Sequence, residues 1–255
     1  MSKTETLAKI MLGPVLLMQG LYTRRVTPIL PEAEGEREGE AGIGAPLRLI
    51  ILGDSAAAGV GVSTQAEALS GQLVNRLARD FRVCWKLSAQ SGLDSQGLLE
   101  RLGQQALERF DVALLSIGVN DVTGRLTADQ WIARQQQLME VLIGKFGAKL
   151  IVVSPLPPMH LFPALPQPLR WYLGQRAVRF NARLAHLVER MDRCTMLTTH
   201  LAPVAGSMAA DGFHPGPLIY SAWANDAAQV IARHFGNNPS GKFEQQQQKT
   251  GVDDV

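Results

Sequence analysis

The chain has 255 residues, 46% of them apolar and 19% charged, the proportions of an ordinary soluble globular protein with material for one or two domains. A formal net charge of +2, with Lys and Arg scattered along the chain, leaves no basic footprint for a nucleic-acid partner. The two cysteines, Cys84 and Cys194, lack metal-ligand spacing and read as small buried side chains; no metal and no cofactor is expected.

In chain order, Ile10 to Tyr22 is mostly apolar but is interrupted by Gly13, Pro14 and Gln19, and it falls short of the roughly 20 apolar residues of a spanning helix. Lys3 and Lys9 precede this run, Arg24 and Arg25 close it, and no small-residue cleavage site follows. Residues 1–25 fit an interfacial amphipathic helix, a helix docked on the domain, or an uncleaved signal-like segment. A cytoplasmic location is expected, with peripheral membrane contact through residues 7–25 and export both left open. Residues 26–46 read as an acidic linker, because Pro31 to Pro46 holds five glutamates and four glycines and almost no large apolar side chain. Residues 47–236 form the expected domain, and 237–255, with four consecutive glutamines, a disordered tail.

Within the domain, strand and helix patterns alternate. Strands are expected at Leu47–Leu52, Arg82–Leu87, Val112–Ile117, Lys149–Val153 and Thr195–Leu197. Between and after them, helical periodicity covers Glu67–Asp80, Gln96–Leu107, a long segment capped by Thr127, Leu169–Met191 and Leu218–Phe235. Unbroken apolar strands separated by helices imply a parallel sheet covered on both faces, an α/β three-layer sandwich.

Chemistry-bearing residues cluster just past the strands. Ser55 follows the first strand in Gly53-Asp54-Ser55, at the carboxyl edge where open α/β sheets build their sites. A serine hydroxyl needs a base, and that base needs an orienting group. His214, in Asp211-Gly212-Phe213-His214-Pro215, offers the imidazole, and Asp211, three residues earlier, can reach its Nδ1 proton across one tight turn. Otherwise Asp211 would cap the next segment and His214 would be a solvated loop residue. His186 and His234 fall in helical patterns, His160 sits in a proline-rich loop, and His200 has no acidic neighbour. Gly92 after the second strand and Asn120 after the third can donate to a negative oxygen, together with the Ser55 N–H. Their plainer roles are a turn glycine and a helix cap. The P-loop lysine is missing, and so is the second glycine of the G-x-S-x-G elbow.

These four blocks, Gly53-Asp54-Ser55, Gly92, Gly118-Val119-Asn120-Asp121 and Asp211-x-x-His214, resemble the SGNH (GDSL) hydrolase superfamily over residues 47–235. The resemblance implies a flavodoxin-like parallel five-stranded sheet of order 2-1-3-4-5. It implies Ser55 as nucleophile, His214 as base and Asp211 as orienter, with Ser55, Gly92 and Asn120 lining an oxyanion hole. Ala89-Gln90-Ser91 before Gly92 departs from many relatives. The activity implied is a serine ester hydrolase working through an acyl-enzyme, on small-molecule or lipid-like esters. A sugar O-deacetylase, an acyltransferase and a non-catalytic lipid-binding module are the alternatives. For the substrate, the apolar Pro155–Trp171 loop suits an acyl chain better than a sugar, or else merely packs on the domain. Asp54, Met159 and Phe162 are expected to face the substrate.

Overall fold

A computed structural model describes residues 3–198 and 206–236, with side chains from residue 12 onward. His200 and the Gln-rich 237–255 segment lie outside the described residues.

One sheet organises the domain. Its strands are β1 (Glu38–Ala41), β2 (Ala45–Gly53), β3 (Phe81–Ala89), β4 (Val112–Ser116), β5 (Leu150–Val153) and β6 (Cys194–Met196), in the spatial order β1-β3-β2-β4-β5-β6. From β3 to β6 every neighbouring pair is parallel, which reproduces the expected 2-1-3-4-5 order for the strands the periodicity marks. Alternating side chains of β2 feed both layers. Ile50 and Leu52 face a core built with α3 (Ser95–Gln104), α5 (Ala128–Gly144) and α6 (Leu169–Glu189). Leu49 and Ile51 face the core made with α2 (Leu69–Leu77) and α7 (Pro217–Gly236). That two-sided burial is why the strand shows no polar alternation. Thr127 caps α5 as expected, in a capping box with Gln130.

The sheet has six strands, not five, and the extra one comes from the segment expected to be a linker. Glu38–Ala41 runs antiparallel to β3, with Glu38 opposite Lys86 and Ala41 opposite Val83. Its Glu-Gly-Glu-Ala sequence carries no apolar stripe because an edge strand can be held by its backbone ladder alone. Glu38 and Glu40 also lie within ion-pair distance of Lys86 and Arg82 on the neighbouring strand. Farther back, Ala33 is buried, and Glu32 accepts a hydrogen bond from the Ser91 N–H at 2.6 Å. The acidic segment is therefore part of the domain surface. Cys84, on β3 between β1 and β2, and Cys194, on the edge strand β6, are only partly buried.

The amino-terminal segment is one helix, α1 (Lys3–Val26), continuous through Gly13 and Pro14. It is docked: Leu16 is buried in the core, and the Gln19 amide bonds to the loop ahead of α6. Among the described residues no helix is long and apolar enough to cross a membrane.

Candidate active site

The register of the three central strands sets the site. Gly53 pairs with Ala89 on one side and with Ser116 on the other, so the loops after β2, β3 and β4 leave the sheet at one level. This is where the chain order reverses across the sheet, the crevice of doubly wound folds. Gly53 has no room for a side chain, since a Cβ there would lie 2.2 Å from the Ser116 carbonyl. The backbone can then turn sharply and present Ser55 at the top of the strand.

His214 Nε2 is 2.9 Å from Ser55 Oγ, and His214 Nδ1 is 2.5 Å from Asp211 Oδ2. The three residues sequence reasoning paired are thus brought into one line. Asp211 uses its other oxygen, Oδ1, to accept the Phe213 and His214 backbone N–H groups, at 2.9 and 3.0 Å. One carboxylate therefore both shapes the turn and orients the ring, so capping and orienting are the same arrangement. The Asp211 side chain is fully buried while the imidazole keeps 19% exposure. Burial pushes the Asp211 carboxyl up, but its bonds to the His214 ring and to the two N–H groups outweigh this and hold it below the ordinary carboxylate value. The carboxylate thus stays charged beside the imidazole, the condition for stabilising an imidazolium.

Gly92 stands on the loop leaving β3 and Asn120 on the short helix α4 (Val119–Thr123) that follows β4, and these two connections are stapled to each other. Asn120 Nδ2 donates to the Leu93 carbonyl at 2.8 Å, leaving its second proton for another acceptor. Next to it, the buried Asp121 accepts from the Ser95 N–H at 3.1 Å and from Ser95 Oγ at 2.6 Å, with Arg134 at 3.6 Å. Burial raises the Asp121 carboxyl, with the Ser95 bonds opposing. Gly92 has φ +80°, a left-handed conformation, and a Cβ there would meet open space. Among the described residues neither the Ser55 nor the Gly92 backbone N–H is taken by a protein acceptor. Three donors thus remain available along one edge of the sheet.

Beside Ser55 lies an open cleft with mostly apolar walls. Phe162 is among them and meets Phe213 edge-on at 5.1 Å between centroids. Asp54 is also a wall residue, but its Oδ1 accepts the Ala56 N–H at 3.2 Å, so part of the carboxyl serves the turn. Burial raises the Asp54 carboxyl to about 6, with the Ala56 N–H and His214 opposing and the charge of Asp121 adding to the rise. Met159 is a correction. It is fully buried in the core against α6 and does not reach the cleft, whereas Phe162, just past the 3-10 turn Met159–Leu161 and buried in the same core, also lines the cleft. Gly92 and Asn120 are not among the cleft walls.

Several wall residues escape sequence reasoning: Ile117, Val119, Leu156, Met208, Phe213, Ile219 and Trp223. Phe213, Ile117 and Val119 could have been found as neighbours of His214 and Gly118. Ile219 and Trp223 lie on α7 among other apolar residues, and only tertiary packing assigns them to the cleft. Trp223 Nε1 donates to Ser154 Oγ at 2.9 Å, which joins α7 to the loop after β5.

A flavodoxin-like sheet with a Ser–His–Asp chain on its carboxyl edge defines a class of hydrolase scaffold. Residues 51–222 match the GDSL-like lipase/acylhydrolase family, and the chain belongs to that family. It is 28% identical over 215 residues to the GDSL-like esterase Rv1075c of Mycobacterium tuberculosis, covering 79% of this chain and 65% of that protein. The chain thus spans a little under two thirds of that relative's length. Among solved structures it resembles a psychrotrophic esterase EstA from Pseudoalteromonas sp., with TM-score 0.57 and 17% identity over 74% of this chain and 99% of the other. A carbohydrate esterase family 2 enzyme from Corynascus thermopiles has TM-score 0.60 and 14% identity, over 82% and 69%. Both likenesses concern the fold.

Proposed function

We propose that the protein hydrolyses carboxylic esters with an apolar acyl group, through an acyl-enzyme on Ser55. The observation that carries this is the continuous chain from Ser55 Oγ through the His214 ring to the Asp211 carboxylate, at 2.9 and 2.5 Å.

His214 Nε2 takes the Ser55 proton as Oγ attacks the ester carbonyl carbon. The carbonyl oxygen becomes negative and is held by the Ser55 and Gly92 N–H groups and the free Asn120 amide proton, donors in place before the charge forms. The protonated His214, stabilised by Asp211, returns the proton to the leaving alkoxide, and the tetrahedral species collapses to an acyl-serine and a free alcohol. Water enters, His214 removes its proton, and the second tetrahedral intermediate collapses to release the acid and restore Ser55. No external reductant, oxidant or metal enters the balance.

The acyl side is argued from the cleft beside Ser55. Ile117, Leu156, Phe162, Phe213, Ile219 and Trp223 bury apolar atoms, whereas a sugar needs more polar partners next to its aromatic contacts. Turnover of p-nitrophenyl acetate and p-nitrophenyl butyrate tests the reading. Butyrate is expected to be the better substrate by kcat/KM, and Ser55→Ala to abolish both. Undiminished turnover in Ser55→Ala, or a preference for acetylated saccharides, would overturn it.

A further inference from the structure

Surface helices ordinarily turn apolar residues to the core and polar ones to water. Helix α1 does not. Leu12, Leu16, Gln19 and Thr23, spaced by three or four residues, form the inward stripe, where Leu16 and Thr23 are buried. The outward side is apolar as well, with Leu17 65%, Met18 71%, Leu21 60% and Tyr22 63% exposed, and Ile29 just beyond the helix is 96% exposed. At the same corner Trp171, in the first turn of α6, is 39% exposed, and its N–H bonds to Gln167.

Charge selects what such a face meets. Between Glu5 and Glu32 there is no acidic residue, while Lys9, Arg24 and Arg25 lie in that interval. Both arginines are exposed in the last turn of the helix. A two-fold contact of this face with a second copy would bring Arg24 and Arg25 together with no acid on the helix nearer than Glu5, at its opposite end. An anionic lipid surface offers both partners at once, hydrocarbon for the leucines and negative headgroups for the arginines. Tyr and Trp are the aromatics that settle at that boundary.

We infer that α1 is an interfacial helix that seats the protein on anionic membranes with Leu17, Met18, Leu21 and Tyr22 inserted and Arg24 and Arg25 at the headgroups. The helix is also tied to the cleft. Gln19 Nε2 donates to the Gln167 carbonyl at 2.6 Å, and Gln19 Oε1 accepts the Leu169 N–H at 3.0 Å. These residues end the loop that contributes Phe162 to the cleft, and its Ala164 N–H bonds to the Gly212 carbonyl at 3.2 Å, beside His214. The helix therefore holds the ester-facing loop at the surface where it binds. Seating itself does not depend on the hydrolase reading, since it is measured without turnover.

The experiment is flotation of the full chain with vesicles of phosphatidylcholine alone and of phosphatidylcholine with one third phosphatidylglycerol. Two variants accompany it, Leu17→Glu/Met18→Glu/Leu21→Glu and Arg24→Glu/Arg25→Glu, each checked by thermal melting and by hydrolysis of soluble p-nitrophenyl butyrate. The wild type should float with the anionic vesicles at least about tenfold more than with the neutral ones, and both variants should lose this while soluble activity stays level. Absence of flotation, equal flotation with both vesicles, or a dimer that the leucine variant dissociates would each overturn the inference. If the leucine variant fails to fold, the arginine variant decides alone, because its side chains are solvent-exposed.

Discussion

The Asp211–His214 pair and the Gly92–Asn120 pair sit on the same edge of the sheet, yet they are held by contacts of very different range. Asp211 and His214 are three residues apart, and a single carboxylate closes their turn and orients the ring. Gly92 and Asn120 come from different strands, and what locks them is a cross-loop staple, Asn120 to Leu93 and Asp121 to Ser95. The first arrangement can form wherever the local sequence occurs. The second exists only once β3 and β4 flank β2 in register. The Asp211–His214 arrangement is therefore local chemistry delivered to Ser55 by a loop, and the Gly92–Asn120 arrangement is a product of the sheet.

Substitutions sharpen that contrast. The largest effect is expected from Asp211→Asn, which keeps a short polar side chain but favours the wrong tautomer. kcat on p-nitrophenyl butyrate should fall about 10⁴-fold with the fold intact by circular dichroism. A loss below tenfold would remove Asp211 from the relay. Next, Asn120→Ala should lower kcat by about 10²–10³ with KM little changed, and should also cost about 1–2 kcal/mol of stability in urea unfolding, since the Leu93 carbonyl loses its donor. Stability loss without the kcat loss would make Asn120 a staple only.

Asp54 feels both halves, the opposing effect of His214 and the reinforcing charge of Asp121. Its carboxyl is raised from the ordinary 3.8 to about 6, so its contribution to stability is full below pH 3.8 and is lost as pH rises through about 6. Asp54→Asn cannot ionise and keeps an acceptor for the Ala56 N–H. Its stability relative to wild type should therefore improve between pH 4 and pH 7 by up to about 3 kcal/mol, read from urea melts at both pH values. A difference that stays flat with pH would mean that Asp54 is charged in the fold throughout that range. The smallest effect is expected for Gly92→Ala. The left-handed backbone costs about 1–2 kcal/mol while the added methyl meets open space, so melting should drop slightly, and kcat should follow only if the N–H shifts.

Much of this molecule was legible in its residues. The apolar runs of β2, β4 and β5 and the periodicities of α2, α3, α5, α6 and α7 mark both layers, and four short blocks hold Ser55, Gly92, Asn120, Asp211 and His214, which the structure places past the strand ends. What was missed has physical reasons. β1 carries no apolar stripe, because an edge strand paired through its backbone needs none. Met159 and Phe162 are equally apolar, three residues apart and buried in one core, yet only Phe162, past the 3-10 turn, also lines the cleft.

The chain by itself determined most element types, the local Asp211–His214 pairing and the glycines that let the backbone turn beside Ser55, because these depend on neighbours within a few positions. Only the tertiary structure decided that Ser55 Oγ stands 2.9 Å from an imidazole 159 residues later, that Asn120 reaches Leu93, and that α7 supplies Ile219 and Trp223 to the cleft. Those distances follow from strand order and register, which arise from burying two apolar faces of one sheet at once and are not carried by any short stretch of residues.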